Sequence, residues 1–253
     1  MKTSIKIKKF YYSPLAADGG MGSNWTEVQS GQRENTVSFT GSDADTTNYK
    51  NVEGATLESS MTKGDKTLGF QLADLTPEII ADFTGGTVTT TSEGVSYDAP
   101  ENENQYIEKS VMFLTEKNVL FRVPRIRFDA FPAINDDDLH YHQINGVVLR
   151  PEKAGVTSNG YDIITDPDAA LIKSMEIEDQ VSSTIDDEAG TVAIVLPAAT
   201  PVTALQPVIV TSLGSLPSPR SGVAQDFTTP QTYVVTSASG ETKTYIVTVT
   251  LSA

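Results

Sequence analysis

Residues 104–132, NQYIEKSVMFLTEKNVLFRVPRIRFDAFP, constrain this chain more than any other stretch. They read as two long strands, 106–114 and 119–131, around the polar turn Thr115-Glu116-Lys117-Asn118. The first arm is rich in β-branched and aromatic residues and holds neither Gly nor Pro, which suits a pleated surface. In the second, Phe121 and Val123 share one face and Arg122 takes the other. After Pro124 the alternation resumes, with Ile126 and Phe128 on one side and Arg125, Arg127 and Asp129 opposite. It slips by one residue at Pro124, which has no N–H for a ladder bond, so a bulge or an edge position is expected there. Thirteen residues at about 3.3 Å each would span roughly 43 Å, a length that reads as scaffold.

The other segments supply further strands and one helix. Residues 13–32 are polar and Gly-rich and carry the only Trp, Trp25; a loop this long is functional or partly disordered. Short strands are expected at 35–40, 49–58 and 67–72. A helix then runs over 77–84, with Thr76 as N-cap, Pro77 at the first position, a Leu75–Ile80 staple and Gly85-Gly86 as the stop. Strands at 87–91 and 94–97 precede the hairpin. A turn at 135–138 and a strand at 139–149 follow it, and 151–168 reads as a linker. Beyond residue 169, strands at 191–196, 207–211, 232–237 and 243–251 are separated by Pro and Gly, the texture of a β-sandwich. The expected class is all-β with one short helix, in two domains, 1–165 and 169–253.

With 253 residues, 38% of them hydrophobic and 8% aromatic, both domains can bury a core. The absence of Cys excludes disulfides, thiolate zinc sites and cysteine nucleophiles. Ile5 and Ile7 alternate with Lys6 and Lys8, a strand pattern and not a signal peptide, so a mature, soluble chain is expected. No stretch approaches the ~20 apolar residues of a membrane span. A net charge of −15 argues against a nucleic-acid-binding surface.

Few residues suggest chemistry. His140 and His142 could share a strand face beside Asp136-Asp137-Asp138, but no third ligand is identifiable, and an acidic turn capping a polar strand face explains them. Asp43-Ala44-Asp45-Thr46-Thr47 starts like a calcium loop, yet Asn48 stands where Gly is needed and Gly54 where a bidentate Glu belongs. Nothing marks two carboxylates as a glycosidase pair, and the nucleophile-elbow, phosphate-loop and zinc-protease patterns are absent. The chain reads as a non-enzyme needing no cofactor and no metal.

Residues 1–165 resemble a bacteriophage major tail tube protein. GDKTLGFQLADLTPEIIADFTGGTV (64–88), EKSVMFLTEKNVLFRVPRIRFDAF (108–131) and QINGVVLRPE (143–152) carry that resemblance. Residues 170–253 look like an Ig-like domain common in Bacteroidetes surface and phage proteins, through IVLPAATPVTALQPVIVTS (194–212) and DFTTPQTYVVTSASGETKTYIVTVT (226–250). The resemblance implies a tail-tube β-barrel or sandwich domain followed by an Ig-like β-sandwich. It also implies a virion protein, made in the host cytoplasm, whose hexameric rings stack into a tube that conducts DNA and meets other phage tail proteins. Asp18, Asn24, Trp25, Glu27 and Arg33 would then bridge one ring to the next, and the Ig-like domain would decorate the outside and touch surface glycans. The alternative is a cell-surface or secreted glycan-binding adhesin.

Overall fold

The computed structural model describes residues 6–28, 36–50, 52–53, 55–73, 76–101, 106–133 and 141–252. The first strands are β1 (Ile7–Ser13), β2 (Thr26–Glu27), β3 (Ser38–Gly41), β4 (Asp45–Lys50), β5 (Thr56–Thr62) and β6 (Lys66–Leu72). Helix α1 (Pro77–Thr84) precedes β7 (Thr87–Thr91), β8 (Gly94–Asp98), β9 (Ile107–Thr115), β10 (Val119–Ala133), β11 (Tyr141–Val148) and β12 (Gly160–Ile163). The chain ends with β13 (Ile172–Glu176), β14 (Ser182–Asp186), β15 (Thr191–Leu196), β16 (Val208–Thr211), β17 (Leu216–Ser218), β18 (Gln231–Thr236) and β19 (Thr242–Leu251). The described residues are therefore all-β with one short helix, as the sequence implies. Among the described residues the strands of each unit end on open edges, β2 in one and β3 in the other, and no barrel is formed.

The hairpin is β9 and β10. Thr115 ties its turn: its hydroxyl accepts from the Val119 N–H at 3.1 Å, and Asn118 takes the left-handed conformation with φ 57°. At Pro124 the ladder changes partner, because proline offers no donor. Residues Val119 to Arg122 pair with β12, and Ile126 to Ala133 pair with β11. The slip read from the sequence is thus a switch of neighbour. A second correction concerns 49–58, expected as one strand. The chain reverses there, and β4 and β5 form a hairpin that places Asp45 and Thr47 on a strand and not in a calcium loop. The Asp136–Asp138 turn, His140 and Leu75 lie outside the described residues.

The chain forms two compact units. One comprises residues 29–108 and 125–150. In it β3, β6, β11 and the second half of β10 form an antiparallel sheet with strict alternation. Leu68, Phe70, Leu72, Ile126, Phe128 and Ile144 are buried on the inner face. Helix α1 covers that face with Phe83, whose ring meets Phe128 edge-on at 5.2 Å and Phe70 at 5.8 Å. Eight residues cannot hold a helix in water, so this contact is what stabilises it. Its end follows the expected chemistry: Gly85 has φ 78° and its N–H bonds the Ala81 carbonyl. Its start departs from it, since Thr76 is extended but its hydroxyl makes no capping bond.

The other unit comprises 1–28, 109–124 and 151–253. Its C-terminal part is a sandwich of β13–β16 against β14–β15–β19–β18–β17, with β15 and β19 parallel. Met175, Ile194, Leu196, Tyr233, Val235, Tyr245 and Val247 fill the space between the sheets. The Tyr245 hydroxyl donates to Asp187 at 2.6 Å and accepts from the Ile172 N–H at 3.4 Å. Burial first, and then that carboxylate, raise its pKa to about 12. A second cluster of the same unit gathers Tyr11, Met112, Leu114, Leu120, Ile164 and Ala238, with Met21, Trp25 and Leu216 against it.

Candidate functional site

Alternation that buries every second residue of β6, β10 and β11 sends the others to water. Cross-strand register then lines those outward residues up in rows. One row is Ser38, Gly69, Asn145 and Asp129; the next, along the strands, is Thr40, Thr67, Val147 and Arg127. On the other side of the first row come Gln71, Gln143 and Phe131. Gly69 has no side chain, and the row dips where it stands. The result is an open groove of about 550 Å³ lined by Ser38, Thr67, Asn145, Asp129, Arg127 and the exposed ring of Tyr106.

The polar lining is organised by side chains of the same sheet face. The Gln71 amide donates to the Gln143 carbonyl at 3.0 Å, and the Gln143 amide donates to Asn145 Oδ1 at 3.2 Å. That leaves the Asn145 amide nitrogen and the Asp129 carboxylate without a hydrogen bond to any described residue. Arg127 lies 5.5 Å from the centre of the Tyr106 ring, a cation–π contact that steadies a 59% exposed aromatic. Glu108 grips the same guanidinium, accepting from Arg127 Nε at 3.0 Å and Nη2 at 2.7 Å, and its other oxygen accepts from Arg125 at 2.7 Å. Partial burial pushes the Glu108 pKa up. Hydrogen bonds from Arg125 and Arg127 more than reverse this and hold it below the usual carboxylate range.

Such a surface offers paired donors and acceptors on planar side chains, a bare strip of backbone and one presented ring. Polyhydroxylated, partly apolar molecules need those three features together. Hydrolysis needs more. Two carboxylates must flank the bond, one of them able to hold a proton. Here Glu108 is paired with two arginines, and among the described residues Asp129 is the one carboxylate of the lining.

The residues singled out in the sequence lie elsewhere. Asp18 sits in a turn, where Lys153 at 2.6 Å and the Gly20 N–H lower its pKa. Trp25 is half-buried in the second cluster, and Glu27 pairs with Tyr11 on β2. Asn24 buries its carbonyl oxygen with no described partner. Arg33 lies outside the described residues. Thr26, between these, accepts from Arg220 at 2.8 Å. His142, expected on a polar face, is in register with Leu72 on the inner face and packs near Ile79, Ile80 and Phe83; burial lowers its pKa. Among the described residues no cluster of His, Asp and Glu is arranged to hold a metal.

Comparison with known proteins gives one family match. Residues 172–249 match the model described as SGBP, N-terminal, a domain of surface glycan-binding proteins. A candidate glycoside hydrolase from Bacteroides thetaiotaomicron is 30% identical over 35% of this chain and 26% of its own, with a TM-score of 0.32. A candidate secreted protein from Bacteroides fragilis is 22% identical over 34% of this chain and 98% of its own, with a TM-score of 0.29. The chain thus spans about a quarter of the hydrolase-like protein. No curated protein matches the chain.

The family match overturns the tail-tube reading. The stacked hexameric rings, the passage of DNA, the other tail proteins as partners and the virion location are corrected with it. What suggested a tube was a pattern of secondary structure, a long hairpin and a short helix stopped by Gly-Gly. That pattern here builds an open sheet, and Asp18, Asn24, Trp25 and Glu27 have no ring to bridge.

Proposed function

We propose that this protein is a non-catalytic glycan-binding protein of the secreted or cell-surface kind, and that the groove over Gly69 takes the sugar. The observation that carries the reading is the row Ser38–Gly69–Asn145–Asp129 beside the exposed Tyr106 ring. Asn145 and Asp129 would receive hydroxyls, and Tyr106 would stack on a C–H face of the pyranose. The groove is open along the sheet, which suits a segment of a chain better than a lone monosaccharide. The glycan-binding family matched by 172–249 supports the reading from an independent part of the chain. That part has its own core, and we propose that 169–253 is a separately folding module; the excised fragment should give a single cooperative melt.

Affinity electrophoresis through gels containing soluble polysaccharides tests the proposal. At least one polysaccharide should retard the native protein. Tyr106→Ala and Asn145→Ala should each weaken retardation up to about tenfold, the size expected of one ring contact or one neutral hydrogen bond. Retained binding in the double variant would place the sugar elsewhere. Reducing ends released on prolonged incubation with a retarding polysaccharide, and abolished in Asp129→Asn, would make the protein an enzyme.

A further inference from the structure

Among the described residues the charges around the groove are two of each sign, and they are unequally paired. Arg127 and Asp129 are neighbours on β10, with Glu108 and Arg125 behind them. No residue of β3 or of Tyr141–Val148 in β11 adds a charge to the lining, which is otherwise Ser, Thr, Gln, Asn, Gly and apolar side chains. An incoming anion would look for Arg127. That guanidinium already gives Nε and Nη2 to one carboxylate oxygen and turns its face to Tyr106. This charge-assisted pairing sets a carboxylate against the Arg127 charge, so that an incoming anion would have to compete with Glu108 for it. Asp129, by contrast, is exposed and makes no hydrogen bond to a described residue. Among the described residues the unpaired charge of the groove is therefore negative, in a chain whose net charge is −15.

We infer that the groove is selective for uncharged glycans and rejects uronic-acid and sulfated ones. This rests on the glycan-binding reading and adds the ligand class to it. Glu108 is the selectivity device, since it occupies the cation that a sugar carboxylate would otherwise use. Asp129 serves twice, accepting from neutral hydroxyls and repelling anions. At a surface site two like charges about 4 Å apart disfavour contact several-fold, and the effect fades as salt screens it.

The experiment compares a neutral panel (a β-glucan, a mannan and a xylan) with an acidic one (polygalacturonate and alginate), in affinity electrophoresis at low and at moderate salt. Native protein should bind a neutral member at least tenfold better than any acidic one. Asp129→Asn, a change at an exposed position, should narrow that ratio several-fold, chiefly at low salt. Glu108→Gln, which frees Arg127, should raise acidic binding further, and circular dichroism shows whether that variant is folded. Acidic glycans binding as well as neutral ones, and lost in Asn145→Ala, would overturn the inference while the glycan-binding reading stands. A neutral preference unchanged in Asp129→Asn would overturn it too, because the groove's charge would not be the cause. Binding of neither panel would sink the underlying reading itself.

Discussion

On β11, Gln143, Asn145 and Val147 face water while Ile144 and Gly146 face the core. On β19, Thr244 and Ile246 face water while Tyr245 and Val247 are buried. Both strands obey the same two-residue period, and both inner faces are closed by large apolar side chains. Their outer faces differ. The first carries the planar amides of Gln143 and Asn145, next to the Asp129 carboxylate and the Arg127 guanidinium of the paired strand β10. The second carries Thr242, Thr244, Ile246, Thr248 and Thr250, short β-branched side chains that cover the sheet without projecting far beyond it. Alternation thus settles which side is core and leaves the outer side free to specialise. A binding surface arises where outward residues are long enough, and the floor low enough, to meet a ligand.

The strongest way to break the comparison is to damage an inner face. Phe128→Ala removes a ring packed edge-on against Phe70 and Phe83, and should cost about 4 kcal/mol. Asn145→Ala, one strand away and facing out, should stay within about 0.5 kcal/mol while weakening glycan retardation. Urea unfolding of the two variants checks this. Equal losses would mean that the two faces are not separable.

Glu108→Gln should cost about 2 kcal/mol at neutral pH, the worth of hydrogen bonds to a charged group in a half-buried site. Because the folded pKa of Glu108 lies below its unfolded value, the stabilisation is present above the unfolded pKa of about 4.3. It is lost as pH falls through the lowered folded value. The difference between native protein and variant should therefore shrink between pH 5 and 2 when unfolding is followed along that range. An unchanged difference at acid pH would show that the Arg125 and Arg127 contacts are not its source.

Two glycines sharpen the contrast further. A Cβ at Gly146 would come within 2.6 Å of the Ile126 side chain and 3.0 Å of Phe128, so Gly146→Ala should destabilise by about 1–3 kcal/mol. At Gly69 the nearest atom to a Cβ is Asn145 Oδ1 at 3.5 Å, an ordinary contact. Gly69→Ala should melt within about 0.5 kcal/mol of the native protein, and a bulkier Gly69→Gln should block the groove with little further loss. Thermal melts of the three variants would show the order reversed if the sheet faced the other way.

A small effect is expected in the sandwich. Tyr245→Phe removes the bond to Asp187 and should cost about 1 kcal/mol. The folded pKa of about 12 lies above the unfolded value, so this stabilisation is whole below about pH 10. It falls away as pH rises through 12. Guanidinium titrations at pH 8 and 11.5 measure it.

The hairpin with its alternation, the helix with its Gly stop and the strands at β6, β11 and β19 were legible in the sequence, because each rests on neighbours a few residues apart. Strand period, proline's missing donor at Pro124 and glycine's freedom at Gly85 act locally. The break in 49–58 was missed because polar strands with both faces exposed leave no alternation to read: all six residues of β4 are exposed. His142 was misplaced by one face because its own polarity outweighed its register with Leu72. The only Trp drew attention to 13–32, yet Trp25 packs inward on a cluster that includes Ala238 and Leu216, far along the chain. Of the groove residues the sequence reading placed only Arg127 and Asp129 on a face, and nothing local says that Ser38, Gly69, Asn145 and Asp129 share one row. That row joins four strands separated by up to about a hundred residues, and register is a property of strand pairs. The sequence determined which residues face out; only the tertiary pairing decided which of them meet, and so where a groove could form.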